Sequence, residues 1–157
     1  MRQMTVCFLV RNDPERQVLL GFKKAGFGAG KYAGIGGKVE AGETVEAAAI
    51  REVEEEIGVK ILAEDLRFMG KVTFLFPSKP EWNQEVSIYM VEKWLGESGE
   101  SNEMRPAWFK LDEIPYGSMW QDARKWIPPV LDGNKIKARF VFNEDNETVA
   151  EVSLDRE

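Results

Sequence analysis

Three glutamates, Glu52, Glu55 and Glu56, follow one another at the spacing i, i+3 and i+4. In a helix this spacing brings side chains to one side, with Cβ atoms about 5 to 6 Å apart. A solvated, charged face is the common interpretation of such a run, but a salt-bridged face would interleave lysine, and Arg51 is the one base between residues 40 and 56. Converging carboxylates suit a hard cation such as Mg²⁺ or Mn²⁺, whose octahedron is completed by water and substrate phosphates.

The scarcity of histidine and cysteine narrows the chemistry further. The chain has no histidine and a single cysteine, Cys7. These counts exclude an intramolecular disulfide, a cysteine cluster for zinc and an imidazole base. Catalysis must therefore depend on carboxylates, amines, hydroxyls or a hard cation.

The net charge of -6 is concentrated in one segment. Seven of the 27 acidic residues but one of the 21 basic residues lie between positions 40 and 56, so the rest of the chain is neutral. Half of the 14 glycines lie between Gly21 and Gly37, just before this segment. A glycine-rich loop thus leads into a carboxylate cluster. Because a diffuse basic surface is absent, we expect no long nucleic acid as partner.

Length and hydropathy favour one globular domain spanning residues 1–157. The 157 residues suffice for one core, and hydrophobic residues make up 43% of them. No apolar run approaches the roughly 18 residues that a membrane span requires, and no signal-peptide pattern is present. We expect a soluble, cytoplasmic protein with no membrane partner.

The acidic segment reads as the strongest helix of the chain. The pattern predicts a helix over Val45 to Ile57, with Thr44 as N-cap and Gly58 as a left-handed stop. Residues at helical spacing predict its core-facing stripe: Ala47, Ile50, Val53 and Ile57. The glutamates should then lie on the opposite side.

The rest of the chain alternates between strand signals and short loops. A second helix is predicted from Ser118, with its end obscured by Pro128 and Pro129, and a short helical turn over Leu111 to Ile114. Extended segments are predicted at Thr5 to Val10, Gln17 to Phe22, Lys71 to Phe76, Glu85 to Val91, Met104 to Lys110, Ile136 to Phe142 and Thr148 to Leu154. Strands and two helices sharing one core make an α/β chain of the α+β type.

The acidic helix resembles the signature of a known family. Nine positions fit the Nudix box, G-x5-E-x7-R-E-U-x-E-E-x-G-U with U aliphatic: Gly37, Glu43, Arg51, Glu52, Val53, Glu55, Glu56, Gly58 and Val59. The resemblance implies the Nudix fold, a mixed, curved β-sheet sandwiched between helices. It also implies hydrolysis of a nucleoside diphosphate linked to another group, with a divalent metal held by the helix carboxylates.

The same resemblance implies roles for individual residues. Glu52, Glu55 and Glu56 would be metal ligands, joined by the backbone carbonyl of Gly36. Glu43 with Arg51 would brace the loop against the helix. A metal-bound water attacking phosphorus in line is consistent with a chain that has no histidine.

The similarity extends beyond the box to the MutT-type members that sanitise oxidised purine nucleoside triphosphates. The segments that carry it are Gly21 to Gly30, Gly36 to Val39, Glu103 to Pro106, Trp108-Phe109 and Met119-Trp120. This likeness implies Glu103 as a further carboxylate at the metal and Lys23 and Lys38 as triphosphate contacts. Lysine is exposed by default, so a solvated position stays open for both.

A purine requires flat apolar walls and a few fixed polar groups. Candidate walls are Phe27, Phe74, Met104, Trp120 and Trp126, although each could instead belong to the core. Trp120 stands at the stacking position of the MutT-type enzymes. Asp122 stands where they carry one of two carboxylates that read the oxidised base, and it could accept from base N–H groups or donate if burial raises its pKa.

Two positions depart from that pattern. Ala123 replaces the second carboxylate and Ala33 replaces a base-reading asparagine. We expect a Mg²⁺-dependent pyrophosphohydrolase of small nucleoside triphosphates, acting as a monomer, with oxidised purines such as 8-oxo-dGTP and 2-hydroxy-dATP as substrates. A nucleotide sugar or an unmodified or methylated nucleotide is the alternative substrate, and a ligand sensor without turnover is the alternative function.

Overall fold

The computed structural model describes all 157 residues, arranged as eight β-strands, two α-helices and four short 3₁₀ turns. The strands are β1 (Arg2–Asn12), β2 (Arg16–Lys23), β3 (Tyr32–Ala33), β4 (Arg67–Leu75), β5 (Gln84–Val91), β6 (Met104–Lys110), β7 (Ile136–Phe142) and β8 (Val149–Arg156). The helices are α1 (Val45–Ile57) and α2 (Ala123–Leu131), and the 3₁₀ turns are Ala63–Asp65, Pro80–Trp82, Leu111–Glu113 and Tyr116–Ser118. No helix is long and apolar enough to span a membrane.

All eight strands form one mixed sheet. Its order is β3-β2-β1-β5-β4-β7-β8, with β6 added on β2. The pairs β1–β5 and β4–β7 are parallel, and the other pairs are antiparallel. One edge of β1 pairs with β5. The other edge is shared, because Val10 to Asn12 pair with β2 while the segment from Ile35 to Lys38 bridges Met4 and Cys7. The glycine-rich segment is thereby held beside the sheet.

Strand alternation gives the sheet two apolar faces. On β1, Cys7 and Leu9 join the core beneath α1, whereas Phe8 and Val10 join the core beneath α2. Side chains of successive strand residues point to opposite faces, so one strand supplies both cores. The expected α+β architecture, with a mixed sheet between helices, is confirmed.

Helix α1 has the predicted bounds and both predicted caps. The Thr44 hydroxyl accepts from the Ala47 N–H at 3.1 Å, and Gly58 has φ 75°, a conformation that glycine adopts without strain. The predicted stripe is partly wrong, because Ala47 is exposed and Ile50 only half-buried. The helix is rotated so that its inward face consists of Ala48, Ala49, Val53, Glu56 and Ile57.

Helix α2 begins later than predicted. Ser118 ends a 3₁₀ turn instead of capping a helix, and Met119 is extended with φ -127° and ψ 170°. The helix starts at Ala123, and both Pro128 and Pro129 lie inside it. Burial of Met119 in the core beneath α2 accounts for the later start of the helix, because an extended residue at this position turns its side chain into the core.

The predicted strands are all present, β6 and β7 with the predicted bounds and the others with shifted ends. Strand β4 starts four residues early, at Arg67, and a register irregularity between Phe68 and Gly70 breaks its alternation. Gly70 has φ 111°, and a Cβ there would lie 1.9 Å from the Ile136 carbonyl oxygen. This close approach requires glycine at position 70. A glycine inside a strand weakens the strand pattern of the sequence, so the early start of β4 could not be predicted. Strand β3, with two residues, carries too little pattern to be predicted.

Candidate active site

Gly36 and Gly37 let the glycine-rich segment lie against both β1 and α1. Thr5 N–H donates to the Gly37 carbonyl at 2.8 Å. A Cβ at Gly36 would lie 2.0 Å from the Thr5 carbonyl oxygen, and a Cβ at Gly37 would lie 2.5 Å from the carboxyl carbon of Glu52. Only glycine therefore fits at position 36, and a larger residue at position 37 would require the Glu52 side chain to move, because this carboxylate reaches the backbone of the segment.

Arg51 joins the loop before α1 to the carboxylates of the helix. Its Nε and Nη2 donate to the two Glu43 oxygens at 2.7 and 3.0 Å, and Nη1 donates to Glu52 at 2.9 Å. Nη2 also donates to the Lys38 carbonyl at 2.9 Å. The two-pronged Arg51 contact holds the pKa of Glu43 at about 2, aided by the Glu40 N–H. The structure thus brings together the residues predicted to brace the loop.

Glu56 is a buried acid among like charges. Its residue is 6% exposed, and its Oε2 has no hydrogen-bond partner. Burial, a hydrogen bond with Glu52 and repulsion from Glu52 together raise the Glu56 pKa to about 8, while Lys23 opposes the shift. The charge of Lys23 does not offset the cost of ionising this buried carboxyl beside Glu52.

The prediction that the glutamates lie opposite the core-facing side of α1 is wrong for Glu56. Glu56 points inward and Glu52 is half-buried, whereas the Glu55 side chain is 60% exposed and accepts from Arg51 Nη1 at 3.2 Å. Glu103 is exposed, and its charge acts on Glu56. No group of three or more histidine, cysteine or acidic side chains is arranged to hold a metal ion. The set of metal ligands, including the Gly36 carbonyl, stays a prediction.

An apolar cavity of about 160 Å³ opens between the sheet and α2. The predicted residues Phe27, Phe74, Trp120, Asp122 and Trp126 all line it. A second cavity adjoins the first through shared residues that include Phe27 and Trp120. Its lining continues to Lys23, Gly36, Gly37 and Met104. The apolar cavity therefore leads to the glycine segment, where Gly37 lies against the Glu52 carboxyl of α1.

Two stacked aromatic rings line both cavities. Phe27 and Trp120 are stacked, with centroids 5.3 Å apart and planes 20° apart. Lys31 Nζ lies 5.1 Å from the Trp120 centroid. The Phe27 ring, which belongs to a residue 44% exposed, sits on the loop between Gly26 and Gly28. Both glycines have positive φ, so this loop adopts a backbone that other residues rarely take.

Asp122 is a buried carboxyl in the wall of the cavity. The residue is 4% exposed, and its Oδ2 accepts from the Trp126 indole N–H at 2.7 Å. Burial raises the pKa of Asp122 to about 6, against the opposing effect of the Trp126 hydrogen bond. Ala33 and Ala123 line the same cavity, so the two departures from the MutT-type pattern remove polar groups from this wall.

The remaining predicted residues have mixed placements. Met104 is buried beneath α1, and a Cβ on Gly21 would lie 2.1 Å from its sulfur. Its side chain fills the gap that glycine leaves, so Met104 is both a core residue and part of the second cavity. Lys38 lines neither cavity.

Sequence reasoning missed several residues that line the cavities, among them Lys31, Tyr32 and Gln84. Gln84 had a usable signal, because it alternates with the buried Val86, Ile88 and Met90 and thus takes a core-facing position on β5. Tyr32 and Lys31 lie at or beside the two-residue strand β3, where the local pattern is too short to assign a face.

Comparisons with known proteins agree with this geometry. Residues 1–130 match the model of the NUDIX domain. The chain is 43% identical over 142 residues to the oxidized purine nucleoside triphosphate hydrolase of Mus musculus, covering 90% of this chain and 88% of that protein. It is 42% identical over 139 residues to the protein of that name from Danio rerio, covering 88% and 86%. Among solved structures, a MutT protein from Bacillus halodurans is similar, with a TM-score of 0.81, 25% identity and coverage of 99% and 98%.

Proposed function

Because the chain belongs to the Nudix family and is a Nudix hydrolase, we propose that it hydrolyses oxidised purine nucleoside triphosphates to the monophosphate and pyrophosphate. The observation that carries this proposal is the apolar cavity with the buried Asp122 in its wall, which adjoins a second cavity lined by Gly37, the residue that lies against the Glu52 carboxyl. Such a cavity accepts a flat base and leaves the phosphates outside it.

We propose that the acidic site binds a divalent cation, Mg²⁺, with Mn²⁺ as a substitute. Glu56 Oε2 is buried without a partner beside Glu52, and a hard cation would satisfy both carboxylates. Glu52, Glu55, Glu56, Glu103 and the Gly36 carbonyl would hold it. When bound, the metal neutralises phosphate charge and lowers the pKa of a coordinated water.

The residues of the chain orient the reacting groups around that site. Arg51 ties Glu43 and Glu52 to the Lys38 carbonyl, so the loop and helix keep one geometry while charge changes nearby. Lys23 lines the cavity next to Gly36 and Gly37 and places an ammonium beside the triphosphate. Lys38 is proposed as a second phosphate contact, reaching from outside the cavities.

Aromatic walls hold the base. We propose that the purine stacks on Trp120 and that Phe27 closes over it, because these rings already face each other at the cavity mouth. Asp122 then meets the polar edge of the base. With a pKa near 6, this carboxyl is mostly ionised at physiological pH and accepts hydrogen bonds from base N–H groups, while its small protonated fraction can donate.

One chain contains both the cavity and the acidic site, which supports a monomeric enzyme acting on free nucleotides of the cytoplasmic pool. We propose that residues 1–157 form one Nudix hydrolase domain of this kind. Removal of oxidised precursors before polymerisation would connect the activity to DNA repair.

A hydrolysis panel tests the proposal. The panel holds 8-oxo-dGTP, 2-hydroxy-dATP, the four dNTPs and a nucleoside diphosphate sugar, assayed with and without Mg²⁺ and with products identified. We expect kcat/KM for an oxidised purine to exceed that of its parent at least tenfold, with release of pyrophosphate. A ratio near one between 8-oxo-dGTP and dGTP would overturn the sanitising function.

Ala33 and Ala123 favour a second candidate, a Nudix hydrolase of another nucleoside diphosphate derivative. Both alanines line the cavity and leave its wall without an amide and without a second carboxylate. If the nucleotide sugar or an unmodified nucleotide is the best substrate of the panel, this second function replaces the first.

A further inference from the structure

Gln84 is the one polar side chain that β4 and β5 contribute to the lining of the apolar cavity. Gln84 begins β5, and the following residues on the same face, Val86, Ile88 and Met90, are buried in the core beneath α2. Its register partner on β4 is Phe74, which lines the same cavity. Gln84 therefore holds a core-facing position that alternation would assign to an apolar residue.

The Gln84 carboxamide has no partner within the chain, unlike its neighbours. The side chain of Asn83 accepts from the Phe76 N–H at 2.7 Å, and Glu85 pairs with Lys71 at 3.2 Å on the opposite face. Gln84 instead lines both the apolar cavity and the adjoining one that leads to Gly37. A half-buried amide without a partner costs free energy unless a ligand or water completes its hydrogen bonds.

Gln84 also supplies a polar group to a cavity lining that has few of them. Apart from the hydroxyl of Tyr32 and the two indole groups, Gln84 and Asp122 carry the only polar side chains in the lining of the apolar cavity. Ala33, in the same lining, offers no polar group. A carboxamide supplies one acceptor and two donors, which a carboxyl alone does not.

We infer that Gln84 is a specificity-determining residue whose carboxamide hydrogen-bonds the polar edge of the purine and replaces the amide absent at Ala33. This inference rests on the proposed function, because it names a residue that reads the base in that same cavity. Gln84 and Asp122 form a pair of polar groups, one on β5 and one at the start of α2, between which the base edge lies.

Substitution Gln84→Met tests the inference, since it keeps the length of the side chain and removes both hydrogen-bonding groups. Binding of 8-oxo-dGMP and dGMP is measured without metal through tryptophan fluorescence, so that phosphate contacts through the cation play no part. We expect Kd for the preferred purine to rise about tenfold, the loss of roughly one good hydrogen bond. In the hydrolysis assay, KM should rise more than kcat falls.

A matched control and a stability measurement separate recognition from packing. Glu85→Gln changes the next residue on β5, which faces away from the cavity, and should alter Kd less than twofold. The Tm of Gln84→Met should equal or exceed that of the wild type, because the variant removes an unpartnered amide from an apolar wall. A purely structural role for Gln84 would lower the Tm and leave Kd unchanged in the folded fraction.

The result separates this inference from the proposed function. If the wild type fails to prefer oxidised purines, the sanitising function falls, while the Gln84 comparison is still made on the purine nucleotide that binds best. A Kd for Gln84→Met within twofold of wild type overturns the inference. Absence of purine binding by the wild type overturns both.

Discussion

The indole N–H of Trp126 donates to a carboxylate oxygen of Asp122 at 2.7 Å, and both residues are almost completely buried. The bond spans one turn at the start of α2 and fixes the carboxyl in the wall of the apolar cavity. It also opposes the rise in the Asp122 pKa that burial causes. Trp126 is thus a core residue that orients a binding group.

Trp126→Phe should destabilise the protein and raise the Asp122 pKa above about 6. Loss of the donor leaves a buried carboxyl without its partner, at a cost of about 1 to 3 kcal/mol. The loss should be larger at pH 7.5, where Asp122 is mostly ionised, than at pH 5. Urea unfolding at both pH values measures it, and equal losses would contradict the assigned hydrogen bond.

Asp122→Asn should remove one component of the pH dependence of stability. A carboxyl whose folded pKa is raised from 3.8 to about 6 binds more protons in the folded state. Its favourable contribution is complete below pH 4 and lost as the pH rises through 6. The free energy of unfolding of the wild type minus that of Asp122→Asn should therefore fall between pH 4 and 6.5, and a flat difference would contradict the raised pKa.

The fold around α1 could be predicted because its signals are local. Thr44 and Gly58 mark the ends of the helix and are found at those ends, and Gly37 to Val59 carry the family motif. The rotation of the helix against the sheet is determined by packing and not by signals in the neighbouring sequence. Alanines at 47, 48 and 49 fit several rotations, so the pattern did not show that Ala47 is exposed and Glu56 buried.

The cavity could not be predicted from local signals, because residues that are far apart in the sequence form it. The Phe27–Trp120 stack joins the glycine-rich loop to the segment before α2, and no periodicity links them. Ser118 has the type of an N-cap, yet burial of Met119 outweighs that preference and delays α2. Gln84 was detectable from the alternation of β5, but only once a polar residue at a core-facing position is taken as a sign of a ligand.

Glu56→Gln should abolish turnover and preserve the fold. The amide is as large as the carboxyl and carries no charge, so it removes the repulsion from Glu52 in the buried site. The Tm should hold or increase, while Mg²⁺-dependent kcat should fall at least a hundredfold. Glu54→Gln, at an exposed position of the same helix, is the control and should retain wild-type activity. Retained activity in Glu56→Gln would contradict its role.

Gly37→Ala should reduce kcat far more than it changes nucleotide binding. The added Cβ would lie 2.5 Å from the Glu52 carboxyl carbon, so Glu52 must move away from the glycine segment or from Arg51. A displacement near 1 Å at a catalytic group costs about a hundredfold in rate. Gly99→Ala, where a Cβ meets no atom within 4 Å, is the matched control. Comparable kcat in both variants would show that the close approach is dispensable.

Trp120→Ala should act mainly on KM, because the stacking surface contacts the base and not the scissile phosphate. Removal of the indole deprives Phe27 and the purine of a flat partner, and stacking on an aromatic ring is worth about 1 to 3 kcal/mol per base. We expect KM for the preferred purine to rise at least fivefold, with kcat changed less than threefold. Trp120 is only half-buried, so the Tm should fall little. Phe68→Ala, at an exposed aromatic position on β4 outside both cavities, provides the comparison. An unchanged KM in Trp120→Ala would assign the ring to the core and leave the cavity without its stacking wall.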